Sequence, residues 1–348
     1  MIKRIVGIIG VMALLINTLS CSAETYIQDQ YKRIDFTAFD TVCSIAIFEV
    51  EDYENYKIRE EANIENMKGI IRELEKIFSR TDPSSELYRL NNRTTNEVMI
   101  SRPLATIMDV AKSMYTWSVN YFDISVGNLT ELWDIKNKKT PPSNAEVKEA
   151  LSHANNMDYD IIFDDSPDDY LGDKIVFNGD PKTKYDLGAL AKGYAAMNLK
   201  DVLENMGVKS AIINFGGSVT IVGSKGKAPF KIGVKRPFKE GYIVTEDVIE
   251  RSLITSGTYE RYYEYDGKIY SHIISNKTGY PVDNEITSVT INCANSLLGD
   301  YLSTAMILVG KENGEVLFNA IKKRFIEDDP DMSAIVIDKD ENIYRYKW

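Results

Sequence analysis

The sequence predicts an α+β fold, with mixed or antiparallel sheets carrying packed helices. Strand-like runs come in clusters between helical stretches, with no regular βαβ alternation. Several stretches repeat apolar residues every three or four positions, the period of an amphipathic helix. Composition is that of a globular chain, 44% hydrophobic and 27% charged over 348 residues. No internal repeat, low-complexity run or linker-like shift divides it, so residues 32–348 read as one domain.

The chain opens on a leader. Lys3 and Arg4 precede an apolar run, Ile5 to Leu15, too short for a membrane span. Thr18-Leu19-Ser20-Cys21 follows, which predicts a lipoprotein signal peptide over 1–20 with cleavage before Cys21 and lipid on its thiol. The mature protein is then expected on the periplasmic side of the inner membrane, held by its lipid, with residues 21–31 as a polar tether.

The first strand is expected over 37–48. Ile64, Met67, Ile70, Ile71, Leu74, Ile77 and Phe78 mark a helix that stops near Ser79, where Asp82-Pro83-Ser84 begins a loop. Pro103 with Ile107, Val110, Ala111 and Met114 marks a second helix running into Asn120-Tyr121-Phe122-Asp123. Ser143 with Glu146 is a capping box. Residues 159–163 and 174–177 pair as a hairpin across an acidic turn. Asp186 opens a helix with Leu190, Tyr194, Met197 and Leu203 on its apolar side, ending at a left-handed Gly207. Strands follow at 211–215, 230–234, 242–248, 252–255, 268–274 and 287–293. Helices at 297–309 and near 316–325 and a hairpin from Ser333 close the chain.

A formal net charge of −11 without a basic stripe excludes nucleic acid as a partner. An anionic ligand would need a local cation or a metal. No Cys/His cluster has zinc spacing, and the only histidines are His153 and His272. Cys43 and Cys293 sit in apolar runs as buried thiols or as a disulfide; spacing does not choose.

Four stretches can carry chemistry, each with a plain structural reading beside it; one is Tyr121-Phe122-Asp123 at a helix exit, which either holds a planar ring and its polar edge or staples the helix end. Asp186-Leu187-Gly188-Ala189-Leu190-Ala191-Lys192-Gly193 hands a strand over to a helix, either as a phosphate seat or as an ordinary helix start; it is neither a Walker motif nor G-x-G-x-x-G. Asp300, Ser303 and Thr304 share one helical face, either as a hard-oxygen Mg²⁺ site or as helix capping. His272, in the strand after Thr255-Ser256-Gly257, is either a base or a satisfied structural histidine.

In combination these stretches resemble the ApbE family of flavin transferases. The matching motifs are Phe78-Ser79, Ser85-Glu86-Leu87, Arg89-Leu90-Asn91, Phe122-Asp123, Asp186-Leu187-Gly188 with Lys192-Gly193-Tyr194, Gly216-Gly217, Thr255-Ser256-Gly257, Tyr259-Glu260-Arg261, His272-Ile273-Ile274, Thr278-Gly279 and Asp300 with Thr304. The resemblance implies a Mg²⁺-dependent FAD:protein FMN transferase that moves FMN onto a Ser or Thr of an acceptor flavoprotein and releases AMP. An FAD pyrophosphatase and a non-catalytic FAD-binding lipoprotein are the alternatives. It implies an FAD site lined by Phe39, Thr81, Tyr121, Phe122, Asp123, Asp186, Lys192 and Ile273. Mg²⁺ would take Asp300, Thr304 and the Ala189 carbonyl, with Ser303 where some members have a second acid. His272 is the first expected base and Asp186 the second. Acceptors would be periplasm-facing electron-transport subunits. Thr81 stands where many members carry an aromatic, Thr258 where an acid is common, Ile124-Ser125 for Pro-Thr and Ser275-Asn276 for Asp-Pro.

Overall fold

A computed structural model describes residues 32–164 and 172–347. The leader, Cys21, the tether and most of the acidic turn lie outside the described residues. The elements run β1 (Lys32–Ala38), β2 (Thr41–Val50), α1 (Tyr53–Ile58), α2 (Glu60–Phe78), α3 (Glu86–Asn91), β3 (Glu97–Ile100), α4 (Arg102–Trp117), α5 (Gly127–Trp133), α6 (Asn144–Ser152), β4 (Tyr159–Ile162) and β5 (Asp173–Phe177). The second half runs α7 (Ala191–Asn205), β6 (Val208–Phe215), β7 (Ser218–Gly223), β8 (Phe230–Lys235), β9 (Tyr242–Val248), β10 (Ser252–Gly257), β11 (Tyr262–Tyr265), β12 (Lys268–Ser271), β13 (Ile286–Cys293), α8 (Ser296–Val309), α9 (Lys311–Arg324), β14 (Ser333–Asp338) and β15 (Ile343–Tyr346).

One eight-stranded sheet, in the order β1-β2-β6-β7-β10-β13-β14-β15, forms the spine. Its pairings are antiparallel throughout. Alternation along the strands divides the core in two. Cys43, Ile45, Ile47, Ile213, Phe215, Ile254, Val289, Ile291 and Val336 face the main core with the apolar stripes of α2, α4, α7 and α8. Ile212, Val219, Ile221, Leu253, Ile335 and Ile337 face the other way and are covered by the β8–β9 ribbon. A three-stranded sheet, β3-β5-β4, joins the main core through Ile100, Tyr159, Ile175 and Phe177. A satellite core around Leu129, Trp133, Val147, Tyr263 and Ile274 ties α5 and α6 to the β11–β12 hairpin.

The α+β class and the antiparallel sheets agree with the sequence. The first strand is a correction: 37–48 is not one strand but the end of β1, a turn and most of β2. Phe39 and Asp40 form a two-residue loop, both with positive φ, 50° and 59°. That is the twist a tight antiparallel hairpin demands. A phenylalanine carries no turn signal, so the break is invisible in the sequence. Gly216-Gly217 is the same device between β6 and β7, with φ of 62° and 100°. The helix expected at Asp186 begins at Ala191, and the strand expected over 268–274 ends at Ser271. Cys43 and Cys293 are both free and buried. Burial pushes the Cys43 thiol up to about 11, out of the reactive range. Among the described residues no helix is long and apolar enough to cross a membrane.

Candidate active site

Two helix beginnings meet. Gly193 in the first turn of α7 lies against the start of α8. A Cβ there would stand 2.5 Å from the Ser296 carbonyl oxygen and 2.9 Å from both the Leu297 Cα and the Asp300 carboxylate. Only glycine permits that approach. The Gly193 N–H donates to Asp300 Oδ2 at 2.6 Å, and Ser296 Oγ donates to the Gly193 carbonyl at 2.7 Å.

This contact alters the helix start. In a regular helix the Gly193 N–H would donate to the carbonyl four residues back, that of Ala189. It serves Asp300 instead. Among the described residues the Ala189 carbonyl then accepts no hydrogen bond. Asp300 is 3% exposed. Burial raises its pKa, opposed by the nearby Lys192 cation and the Gly193 N–H. The structure thus gathers a desolvated carboxylate and a free carbonyl at one place.

Hydroxyls complete the oxygen set. Ser256 Oγ, from the end of β10, lies 2.8 Å from Ser303 Oγ and 2.9 Å from Thr304 Oγ1. Ser303 is fully buried, and its hydroxyl also reaches the Asp300 carbonyl at 3.2 Å. Among the described residues no group of three or more His, Cys, Asp or Glu could hold a metal. One carboxylate, one carbonyl and a hydroxyl are hard oxygen donors, the chemistry that suits a cation such as Mg²⁺.

Asp186 is held by its surroundings. Its N–H donates to the Ile124 carbonyl at 2.7 Å. One carboxylate oxygen accepts from the Gly188 N–H at 2.8 Å, and the other pairs with Arg80 Nε at 3.0 Å. Asn91 fixes the residue before it. Its side-chain amide donates to the Tyr185 carbonyl at 2.8 Å and accepts from the Tyr185 N–H at 2.7 Å. An amide has both a donor and an acceptor for this, which a carboxylate lacks.

His272 follows β12 directly. Its N–H donates to the Arg261 carbonyl at 3.0 Å, and its Nδ1 lies 3.2 Å from the same oxygen. A carbonyl only accepts, so Nδ1 carries the proton and Nε2 keeps its lone pair. Burial, then the Arg261 and Lys192 cations, pull the imidazole pKa down to about 3. Neither cation makes an ion pair among the described residues; Lys192 Nζ reaches only the Gly188 carbonyl, at 3.5 Å.

The other expected site residues separate into wall and scaffold. Phe39 is half-buried at the β1–β2 turn, edge-on to Phe215, its N–H donating to Glu75 at 2.8 Å. Thr81 is exposed in the loop that carries Arg80. Tyr121 is half-buried beneath Lys277, whose Nζ sits 5.1 Å from the ring centroid. Phe122, expected at the site wall, turns its ring into the core against Tyr301 at 5.0 Å. Asp123 is buried, its carboxylate accepting from the Ser125 and Asn155 N–H groups and from Asn276 Nδ2. It joins the Tyr121 turn to the loop behind His272. Ile273 is buried beside it. Sequence reasoning gave no role to Arg80, Glu75, Ser256 or Asn276. A polar residue's partner across the fold leaves no periodic trace in the sequence. A cleft of about 840 Å³ lies between the 275–285 segment and the α8–α9 corner, and none of Asp186, Lys192, His272 or Asp300 lines it.

The chain is similar to known proteins over most of its length. The ApbE family model matches residues 39–325. A relative from Klebsiella pneumoniae named FAD:protein FMN transferase is 32% identical over 82% of this chain and 84% of its own. One of the same name from Vibrio cholerae is 26% identical over 76% and 81%. The crystal structure of the ApbE protein of Thermotoga maritima superposes with a TM-score of 0.77 at 27% identity, covering 91% of this chain and 97% of that one. The Vibrio cholerae flavin transferase ApbE shares the fold at a TM-score of 0.73 and 21% identity. With the family model spanning most of its length and a relative 32% identical over 82% of it, the chain belongs to the ApbE family.

Proposed function

We propose that this protein is an FAD:protein FMN transferase whose reacting diphosphate lies between the α7 start, the α8 start and His272. One observation carries the reading: the Gly193–Asp300 contact, which frees the Ala189 carbonyl beside a buried carboxylate. Asp300, Thr304 and that carbonyl would hold Mg²⁺, which supplies charge neutralisation to the diphosphate when bound. Ser303 would stand behind this set, because it is fully buried and its hydroxyl meets both Ser256 and the Asp300 carbonyl.

The residues then divide the work. Lys192 and Arg261, without an ion-pair partner among the described residues, would offer positive charge to an anionic substrate on an acidic protein. His272 Nε2 accepts the proton of the acceptor Ser or Thr hydroxyl. That oxygen attacks the FMN phosphorus, the bond to the AMP phosphate breaks, and AMP leaves with the electron pair. Anionic substrate beside Lys192 and Arg261 offsets the two cations that depress His272, raising its basicity where the proton is taken. Asp186, with both oxygens engaged, orients the loop and does not compete for the proton. Phe39 and Tyr121 would flank the flavin nucleotide, over a scaffold of Phe122, Asp123 and Ile273. Thr81 leaves the mouth of the site without a stacking ring.

The acceptor would be a periplasm-facing flavoprotein subunit, reached by a protein anchored through Cys21. The test is an Asp300→Ala variant given FAD, Mg²⁺ and an acceptor peptide. Loss of both peptide-bound FMN and AMP is expected, and undiminished transfer would refute the metal assignment. AMP released by the intact protein without peptide measures hydrolysis.

A further inference from the structure

We infer that Ser256 is a positioning residue: it fixes the direction of a three-hydroxyl chain so that Thr304 Oγ1 presents its lone pairs to a divalent cation. This rests on the metal reading above and deepens it.

The chain runs Thr304, Ser256, Ser303, Asp300 carbonyl, with separations of 2.9, 2.8 and 3.2 Å. Each hydroxyl has one proton to give, and the carbonyl at the end has none. Ser303 is fully buried, so its proton goes to a protein acceptor, and the Asp300 carbonyl is the one that can only accept. Ser303 Oγ therefore accepts from Ser256. Ser256 has then given its proton and accepts from Thr304. Every donor points away from the site, and the Thr304 proton is spent on Ser256.

Without Ser256 this order fails. The Thr304 hydroxyl would turn back onto a carbonyl of its own helix, as threonines in helices do. Ser303 needs no contact with the cation to matter. Its loss removes the acceptor for the Ser256 proton, which then turns onto Thr304 and occupies a lone pair. Two residues that touch no ligand thus govern one that does.

The test reads binding of Mn²⁺ alone, by the EPR signal of the free ion, together with thermal stability. Ser256→Ala is expected to weaken Mn²⁺ binding by about 10- to 100-fold, the range for residues that orient metal ligands. Ser256→Thr, which keeps the hydroxyl, restores most of it. Ser303→Ala weakens binding as well, at an unchanged melting temperature. Full affinity in Ser303→Ala or in a folded Ser256→Ala overturns the proposal. Asp300→Asn separates the two readings. Weakened binding there beside full affinity in Ser256→Ala removes only the hydroxyl chain. Undiminished binding in Asp300→Asn removes the metal site and the chain together.

Discussion

At Asp300, stability and function pull against each other. Its carboxylate is desolvated, its pKa is raised by burial, and the partners that favour its charge are one N–H and a nearby lysine. A buried carboxylate without a full counter-charge costs the fold stability whenever it carries its charge. Asp300→Asn keeps an acceptor for the Gly193 N–H and removes the charge. It should melt higher than the wild type in EDTA, lose any rise in melting temperature on adding Mg²⁺, and lose transfer activity. A lower melting point in EDTA would show the charge to be well compensated. His272 carries a second consequence. With its pKa held near 3 in the free protein, the neutral imidazole is already present throughout the ordinary range. The pH profile of kcat/KM for FAD reports the free enzyme. It should therefore show no bend near 6.5 from this residue, whereas kcat should fall on the acid side at a higher pH, because bound diphosphate offsets Arg261 and Lys192. Equal acid limbs in the two profiles would speak against His272 as the base.

At the scale of elements, the junction of α7 and α8 depends on one missing side chain. Gly193→Ala would place a methyl 2.5 Å from the Ser296 carbonyl and 2.9 Å from the Leu297 Cα, backbone that cannot swing aside. Destabilisation of about 1–3 kcal/mol is expected, as for overpacking elsewhere. The helices would part just where Ala189 and Asp300 must converge, so denaturant melts should shift and Mg²⁺ binding should weaken together. The longer elements were legible because they repeat: α2 and α4 have a helical period, β13 is apolar, and Ser143 with Glu146 closes a capping box as expected. The turn at Phe39-Asp40 was not, because its geometry is imposed by strand pairing and by Glu75, thirty-six residues away. Asp186, Lys192, Asp300 and Thr304 were legible as residue types in family order. Arg80 on Asp186 and Ser256 on Thr304 were not, because each is a contact between elements distant in the chain.

For the whole molecule, charge and address meet in one prediction. A chain with a formal net charge of −11 would be repelled by an anionic membrane surface and has no basic stripe to hold it there. No described helix spans a bilayer. Under the proposed address, membrane residence would rest on Cys21 and its lipid. The fold is consistent with such a tether, since β1 begins at Lys32 on the sheet's edge, eleven residues after Cys21. Stable anchoring by acyl chains requires more than one, which a diacylated Cys21 would supply. Cys21→Ser should leave folding and in vitro FAD turnover unchanged while moving the protein from the membrane fraction to the soluble periplasmic fraction on osmotic shock. Flavinylation of a membrane-bound acceptor in cells should fall at equal protein abundance, because diffusion in a plane is replaced by diffusion through the periplasmic volume, while a soluble acceptor peptide should be modified as before. Retention of the Cys21→Ser protein in washed membranes would mean that a protein partner, and not the lipid, holds the enzyme at its surface.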